Sequence, residues 1–238
     1  MKTIGLILFS ISSVFFVSSC GNANEYEKSY QENDKQKAED SILSGNYDRA
    51  IEYLNSYLLT NSTDYSAQSM LANAYMLKAG ISITDIIINI TNNISNSKGN
   101  LYALIASFPV GDVYSISAIN TAITTLNTNI PAAALSSSQE LQLAIANGGL
   151  AFLTINKYLL YDTNGNITAS SITSLGASGD ATIIYNALVN VQSQMINLGI
   201  TAGNSTGYGT LLSEINSITS SPGVDGPSKL LNYLNLNK

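Results

Sequence analysis

The chain has no histidine and a single cysteine, Cys20. Without an imidazole, the Ser-His-Asp and Cys-His nucleophilic systems cannot be assembled, and the usual zinc sites lose a common ligand. A lone cysteine also argues against a disulfide or a metal role. Ser-Lys pairs and paired carboxylates stay formally open, but the acidic residues concentrate in residues 25–52, on what reads as a solvated helix face. We therefore expect no enzymatic activity.

Positive charge is scarce. The chain has 10 Lys and Arg against 16 Asp and Glu, which gives a formal net charge of −6. No basic patch is visible, so nucleic acid is an unexpected partner. Residues 86–161 are almost free of charge, and their only charged residues are Lys98, Asp112, Glu140 and Lys157. A genome bias towards Asn and Ile explains this most simply, and a weakly charged interface is the alternative.

The first residues have the pattern of a secretory signal. Lys2 supplies a short charged region, and residues 4–17 are apolar apart from serines and one glycine. The run is too short for a confident membrane span. Its end, Val17-Ser18-Ser19-Cys20, resembles the bacterial lipobox, with Val where Leu is commoner and Ser19 where Gly or Ala is commoner.

The lipobox resemblance implies diacylglycerol on the Cys20 thiol, cleavage before that residue and N-acylation, so that palmitate labels the protein. Residues 1–19 are then a signal peptide and residues 20–36 a lipidated, polar tether. Gly21 is not the Asp that retains some lipoproteins at the inner membrane. The resemblance therefore implies a lipid anchor in the outer membrane, with the protein facing the periplasm.

Residues 45–80 predict a pair of helices. Ala50, Ile51, Leu54 and Leu58 recur with a helical period. A turn rich in Asn, Ser and Thr follows at residues 60–64, and Thr63 or Asp64 is the expected N-cap of the second helix. Gly80 is the expected stop.

This pair resembles the tetratricopeptide repeat, whose period is 34 residues. The matching positions are Gly45, Tyr47, Ala50, Leu54, Tyr57, Leu71, Ala72 and Tyr75. Ser62 stands where the family usually has Pro, and an unrelated helical hairpin is the alternative. The resemblance covers about residues 30–95, with the helix pairs in residues 37–95, an earlier helix at about residues 36–43 and Ala38 at the small position of that helix. By resemblance, the partner groove contains Gln68, Asn73 and Met76.

Helical spacing continues through residues 96–238, where strand-like alternation is scarce. We therefore expect an all-α chain, in which antiparallel helix pairs continue into a helical array. The most apolar stretch, residues 141–161, predicts a long core helix that begins after Ser136-Ser137-Ser138. Gly148 and Gly149 within it predict close helix packing or a kink.

Asp162, Asn164 and Asn166 resemble the opening of an EF-hand calcium loop. That family needs Gly at the sixth place and a bidentate acid at the twelfth, where this chain has Ile167 and Thr173. An Asn-Gly turn between helices is the preferred interpretation. We expect no bound metal and no cofactor.

These observations favour a non-catalytic envelope lipoprotein that acts as a helical-repeat module for protein binding or assembly. The second hypothesis is a periplasmic small-molecule-binding lipoprotein associated with a solute transporter, with residues 141–161 lining an internal pocket. The third is an envelope hydrolase, which requires carboxylates such as Asp112, Glu140 and Glu214 to converge. An envelope protein is the expected partner, and a small ligand is the alternative.

Overall fold

The computed structural model describes residues 33–82, 108–160, 168–202 and 207–236, together with the single residues 84 and 105. These residues form an all-α fold of nine α-helices and one 3-10 turn, with no strand among them. The helices are α1 Asp34–Leu43, α2 Tyr47–Leu58, α3 Tyr65–Lys78, α4 Val113–Asn129, α5 Ser137–Asn156, α6 Ala169–Ser178, α7 Asp180–Asn197, α8 Gly207–Ser220 and α9 Gly226–Leu236. The prediction of an all-α chain is confirmed.

The first helix begins earlier than its sequence pattern predicts. The predicted tether extends to residue 36, but α1 begins at Asp34. Asn33 and Gln36 form a capping box, in which each side chain accepts a hydrogen bond from the backbone N–H of the other residue. Because two N–H groups at the helix end are satisfied in this way, the helix starts three residues before the predicted boundary.

The helices α1, α2 and α3 pack in sequence, α1 on α2 and α2 on α3. Their shared core contains the fully buried Ala38, Ala50, Leu54 and Ala67, together with the buried Leu71. Small residues allow the helix backbones to approach, and Leu54 fills the space between them. Gly45 and Gly80 adopt positive φ angles of 77° and 78°, as the chain turns after α1 and after α3.

Asp64 joins all three of these helices. It caps α3 by accepting from the Ala67 N–H at 3.0 Å, and it also accepts from Lys35 Nζ at 2.9 Å and from the Tyr57 hydroxyl at 3.0 Å. The Lys35 hydrogen bond, aided by those of Ala67 and Tyr57, lowers the pKa of Asp64 to about 2. The charged carboxylate is therefore stabilised in the folded state.

Asp64→Ala tests this junction. We expect the substitution to lower the free energy of unfolding at pH 7 by about 2 kcal/mol, since it removes a helix cap and two further hydrogen bonds. A depressed pKa adds stability above the unfolded value near 3.8 and loses it as the pH falls towards about 2. Urea denaturation of both proteins between pH 7 and pH 2 should show the difference shrinking below pH 4. An equal difference at every pH would contradict this contribution of Asp64. Asp225→Ala, which removes the cap of α9 but no bond to a second helix, is the control for the size of the effect and should cost less at pH 7.

The helix α3 also faces a second, larger core. Ala72 and Met76, on its other side, belong to a buried cluster that includes residues of every helix from α4 to α9. The helix α3 packs on α4 and, more lightly, on α5. It therefore connects the α1–α3 core to the rest of the fold.

The centre of that larger core is α5. Every residue from Gln142 to Ile155 is buried, so all sides of this helix are covered. Its neighbours are α4 on one side, α7 on another and α3 near its start. The helix begins at Ser137 behind the cap Ser136, and it ends at Asn156 rather than near residue 161 as predicted.

One of the two adjacent glycines in α5 explains the close packing there. A Cβ atom on Gly149 would lie 2.3 Å from Cδ1 of the buried Ile81, whereas one on Gly148 would meet its nearest neighbour, Phe152, at 3.8 Å. The close approach at Gly149 is made by the side chain of Ile81, which follows the end of α3, and not by a neighbouring helix as predicted.

Candidate functional site

Three glutamines connect α3 to α4 and α5. Asn129 Nδ2 donates to Gln68 Oε1 at 3.0 Å, and Gln139 Nε2 donates to the Tyr65 carbonyl at 3.0 Å. Gln142 exchanges two hydrogen bonds with Ser69, donating to its carbonyl at 2.9 Å and accepting from its hydroxyl at 2.6 Å. All three glutamines are buried. Because buried amides need partners, these bonds fix how α3 lies on its neighbours.

An open groove lies between α3 and the start of α5. We call it the α3–α5 groove; its volume is about 370 Å³, and it is lined by Ser66, Ser69, Met70, Asn73, Ser138 and Gln142. None of these residues is charged, and Asn73 is half-exposed. The groove offers hydroxyl and amide groups beside one adaptable thioether side chain.

The structure separates the three predicted groove residues. Asn73 lines the α3–α5 groove, but Gln68 is 5% exposed and Met76 is fully buried. Gln68 is held by Asn129, and Met76 belongs to the larger core. The assignment of Gln68 and Met76 to an open groove is therefore wrong, because α4 and α5 cover that side of α3.

A second groove lies between α4 and α7, above the end of α5. This α4–α7 groove has a volume of about 520 Å³ and is lined by Val113, Ile116, Ser117, Asn120, Thr121, Thr124, Thr154, Lys157, Asp180 and Ile183. The α4 residues follow one stripe of that helix over three turns, which corresponds to about 16 Å. The groove is therefore straight and runs along α4.

The polar groups of this groove are largely satisfied within their own helices. The hydroxyls of Thr121, Thr124 and Thr154 each donate to a backbone carbonyl four residues earlier, at 3.0, 2.9 and 2.6 Å. Asn120 Nδ2 donates to the Ile116 carbonyl in the same way, at 3.0 Å. Since the threonine hydroxyls and one N–H of Asn120 are engaged, the groove presents mainly methyl groups and acceptor lone pairs.

One end of the α4–α7 groove carries its only charged lining residues. Lys157 Nζ lies 3.2 Å from Asp180, and the Tyr158 hydroxyl also donates to Asp180. Hydrogen bonds to Tyr158 and then to Asp180 raise the pKa of Lys157 above its ordinary value. The pair is mutually neutralised, so this end adds no net charge to the groove.

The three candidate hydrolytic carboxylates serve different elements. Asp112 caps α4 by accepting from the Ser115 N–H, which lowers its pKa. Glu140 lies in the first turn of α5, and Glu214 of α8 accepts from the Tyr233 hydroxyl. In the part of the chain that the structure describes, no three Asp, Glu, His or Cys side chains gather in a metal-binding group.

The other sequence-derived assignments fall into two groups. Among the repeat-signature residues, Ala50, Leu54, Leu71 and Ala72 are buried, Tyr47, Tyr57 and Tyr75 are half-buried, and Gly45 turns the chain after α1. Cys20 and the calcium-like positions Asp162, Asn164 and Asn166 lie outside the described residues, as does nearly all of residues 83–95.

Sequence reasoning missed the α4–α7 groove, although a signal for it was present. The low charge of residues 86–161 includes all of α4, and α7 has no charged residue besides Asp180. The helices α4 and α7 lie on either side of the buried α5 and carry almost no charge, although exposed protein surfaces usually contain many charged side chains.

No protein-family model, curated protein or solved structure matches this chain. Among the helices of the described residues, none is both long and apolar enough to cross a membrane. The sites described above therefore stand on their own geometry.

Proposed function

We propose that this protein is a lipid-anchored, non-catalytic module of the bacterial envelope that binds another protein on the surface of its helical domain. Two kinds of observation support the proposal. The residues Val17 to Cys20 fit a lipobox that ends a secretory signal. The described helices offer two open grooves without net charge, and no three of their Asp, Glu, His or Cys side chains gather in a metal-binding group.

The packing of α5 favours binding on the surface over binding in an internal pocket. The alternative, a small-molecule-binding lipoprotein, requires this apolar helix to line a cavity. Instead, the residues from Gln142 to Ile155 are buried on every side, and Ile81 occupies the space beside Gly149. The helix α5 therefore supports the fold from its centre, and we place the binding site on the surface around it.

We place the partner on the α3–α5 groove. By the tetratricopeptide resemblance, α3 corresponds to the first helix of a repeat, the element that lines the groove of that family. Asn73 and Met70 lie on its accessible side, and the bonds between Ser69 and Gln142 hold the two walls together. An uncharged groove of this kind suits a neutral polar peptide segment, whose own amides meet the hydroxyl of Ser66 and the amide of Asn73.

The proposed location is the outer membrane, with the helical domain in the periplasm. Two or three acyl chains on Cys20 give stable anchoring, because each buried methylene contributes about 0.8 kcal/mol. Gly21 follows the cysteine in place of the inner-membrane retention signal.

A photo-crosslinking residue at Asn73 tests the partner site in intact cells. We expect irradiation to produce one discrete crosslinked envelope protein, identified by mass spectrometry. The same residue at Asn186, an exposed position of α7 outside both grooves, should not capture that protein.

A substitution at Asn73 measures how strongly this groove contributes to binding. Asn73→Lys should reduce recovery of the crosslinked protein in a pull-down about tenfold, because a charge enters an uncharged interface. Asn186→Lys adds the same charge and should leave recovery unchanged. Equal crosslinking at Asn73 and Asn186 would contradict the assignment of this groove. Unchanged recovery of the partner with Asn73→Lys would contradict it as well.

A further inference from the structure

The α4–α7 groove needs an occupant of a particular kind. It runs along three turns of α4, which suits an α-helix better than a compact ligand. Its threonine hydroxyls and one N–H of Asn120 are engaged within α4, so an occupant gains little by bringing hydrogen-bond acceptors. The groove is also open along its length, whereas a bound acyl chain would require an enclosed cavity.

The low charge of the groove further limits which kind of helix can bind there. The helix α4 contains no charged residue, and α7 contains only Asp180, which is paired with Lys157. A charged helix face docked here would lose its hydration without gaining a counter-charge. The occupant is therefore an uncharged helix about three turns long or more.

The chain itself contains such a helix. Of the nine described helices, only α4 and α6 lack a charged residue, and α4 is the longer, with 17 residues against 10. Val113, Ser117 and Asn120, which line the groove, are exposed, and so is Tyr114 beside them; Val113 and Tyr114 are 77% and 82% exposed. We call these four residues the α4 ridge, which forms the lip of one groove wall and is uncharged, as the groove requires.

We propose that a second copy of this chain occupies the α4–α7 groove, with the α4 ridge of each copy in the groove of the other. This arrangement is an isologous twofold dimer, in which one surface is complementary to itself. It covers Val113 and Tyr114, which are otherwise apolar side chains in water. Depletion of charge at the centre of the contact is the composition that protein interfaces show.

Sedimentation equilibrium of the intact lipidated protein in density-matched detergent tests the dimer, and it needs no envelope partner. The wild-type chain should reach twice the mass of the monomer as its concentration rises. Asn120→Lys should raise the dissociation constant at least about tenfold, because the new charge is buried without a partner. Asn120 is exposed in the monomer, so the variant should keep the far-UV circular dichroism of the wild type.

The control is Asn186→Lys, which adds the same charge on α7 outside the groove and should leave the dissociation constant within about twofold. A wild-type chain that stays monomeric overturns the proposal, and so does a dimer that is insensitive to Asn120→Lys. A photo-crosslinker at Thr121 identifies the occupant directly. Capture of a second copy supports the proposal, whereas capture of a different protein or of the chain's own residues overturns it.

Discussion

Cys20→Ser should abolish palmitate labelling of this protein and move it from the detergent-rich to the aqueous phase of a Triton X-114 extraction. The thiol is the attachment point that the lipobox resemblance implies, and a serine hydroxyl does not replace it. Because each acyl methylene contributes about 0.8 kcal/mol to membrane binding, the loss of two or three chains removes the anchor entirely. Radiolabelled palmitate, followed by immunoprecipitation of the chain, measures the first effect.

The matched control is Asn22→Ser, which introduces the same residue two positions later and keeps the cysteine. This variant should label as the wild type does. Palmitate labelling that survives in Cys20→Ser would contradict the lipid anchor, since the chain has no other cysteine. An unlabelled variant that still enters the detergent phase would point to an uncleaved signal, which the mass of the N-terminal peptide shows.

Gly111→Ala should lower the free energy of unfolding by about 3 kcal/mol. A Cβ atom at this buried position would lie 2.2 Å from the carbonyl oxygen of Leu153 and 2.7 Å from its carbonyl carbon. These are backbone atoms of the central helix α5, so neither can rotate away as a flexible side-chain end could. The chain entering α4 must move off α5, and urea denaturation followed by circular dichroism measures the cost.

Gly148→Ala makes the same chemical change inside α5, where the new Cβ would meet Phe152 and Val191 at 3.8 and 3.9 Å. Those are ordinary contacts, and alanine favours a helix over glycine by about 1 kcal/mol. The control should therefore be neutral or slightly stabilising. If the two substitutions had the same effect, the close approach of residue 111 to α5 would be wrong.

The sequence predicted best those features that neighbouring residues determine. The cap at Asp64 and the stop at Gly80 depend on a few adjacent residues, and the structure has both. The start of α1 depends on the capping box of Asn33 and Gln36, which is equally local. The hydrophobic spacing alone does not include these two polar residues, so it places the helix start too late.

The misplaced groove residues show where local patterns fail. Gln68 is polar and Met76 adaptable, which are properties of surface residues that bind partners. Their burial depends on α4 and α5, and the amide of Gln68 is matched by Asn129, 61 positions away. A helix stripe shows which residues share a side, but it does not show which side another helix will cover.

The end of α5 is a similar case. Its apolar period continues through Tyr158 and Leu159, and Leu159 is in fact buried in the core. The helix nevertheless ends at Asn156, whose side-chain amide donates to the carbonyls of Ile105 and Phe108 at 2.7 and 2.8 Å. Those partners come from a distant part of the chain, so the sequence pattern could not locate this end.

The two grooves lie at opposite ends of α5. Gln142 lines the α3–α5 groove and Thr154 lines the α4–α7 groove, which places them about 18 Å apart along the helix. A helix buried on all sides holds these surfaces at a fixed separation. The proposed self-association and the proposed partner binding therefore use separate surfaces, and substitutions in one groove should leave the other unchanged.

Native mass spectrometry of the protein released from envelopes in mild detergent tests the central claim most directly. The account predicts a chain that begins at Cys20, carries the mass of its acyl groups and retains a different envelope protein as its partner. A chain without acyl mass would contradict the anchor. A bound small molecule in place of a protein partner would contradict the surface-binding module and favour the transporter-associated ligand binder.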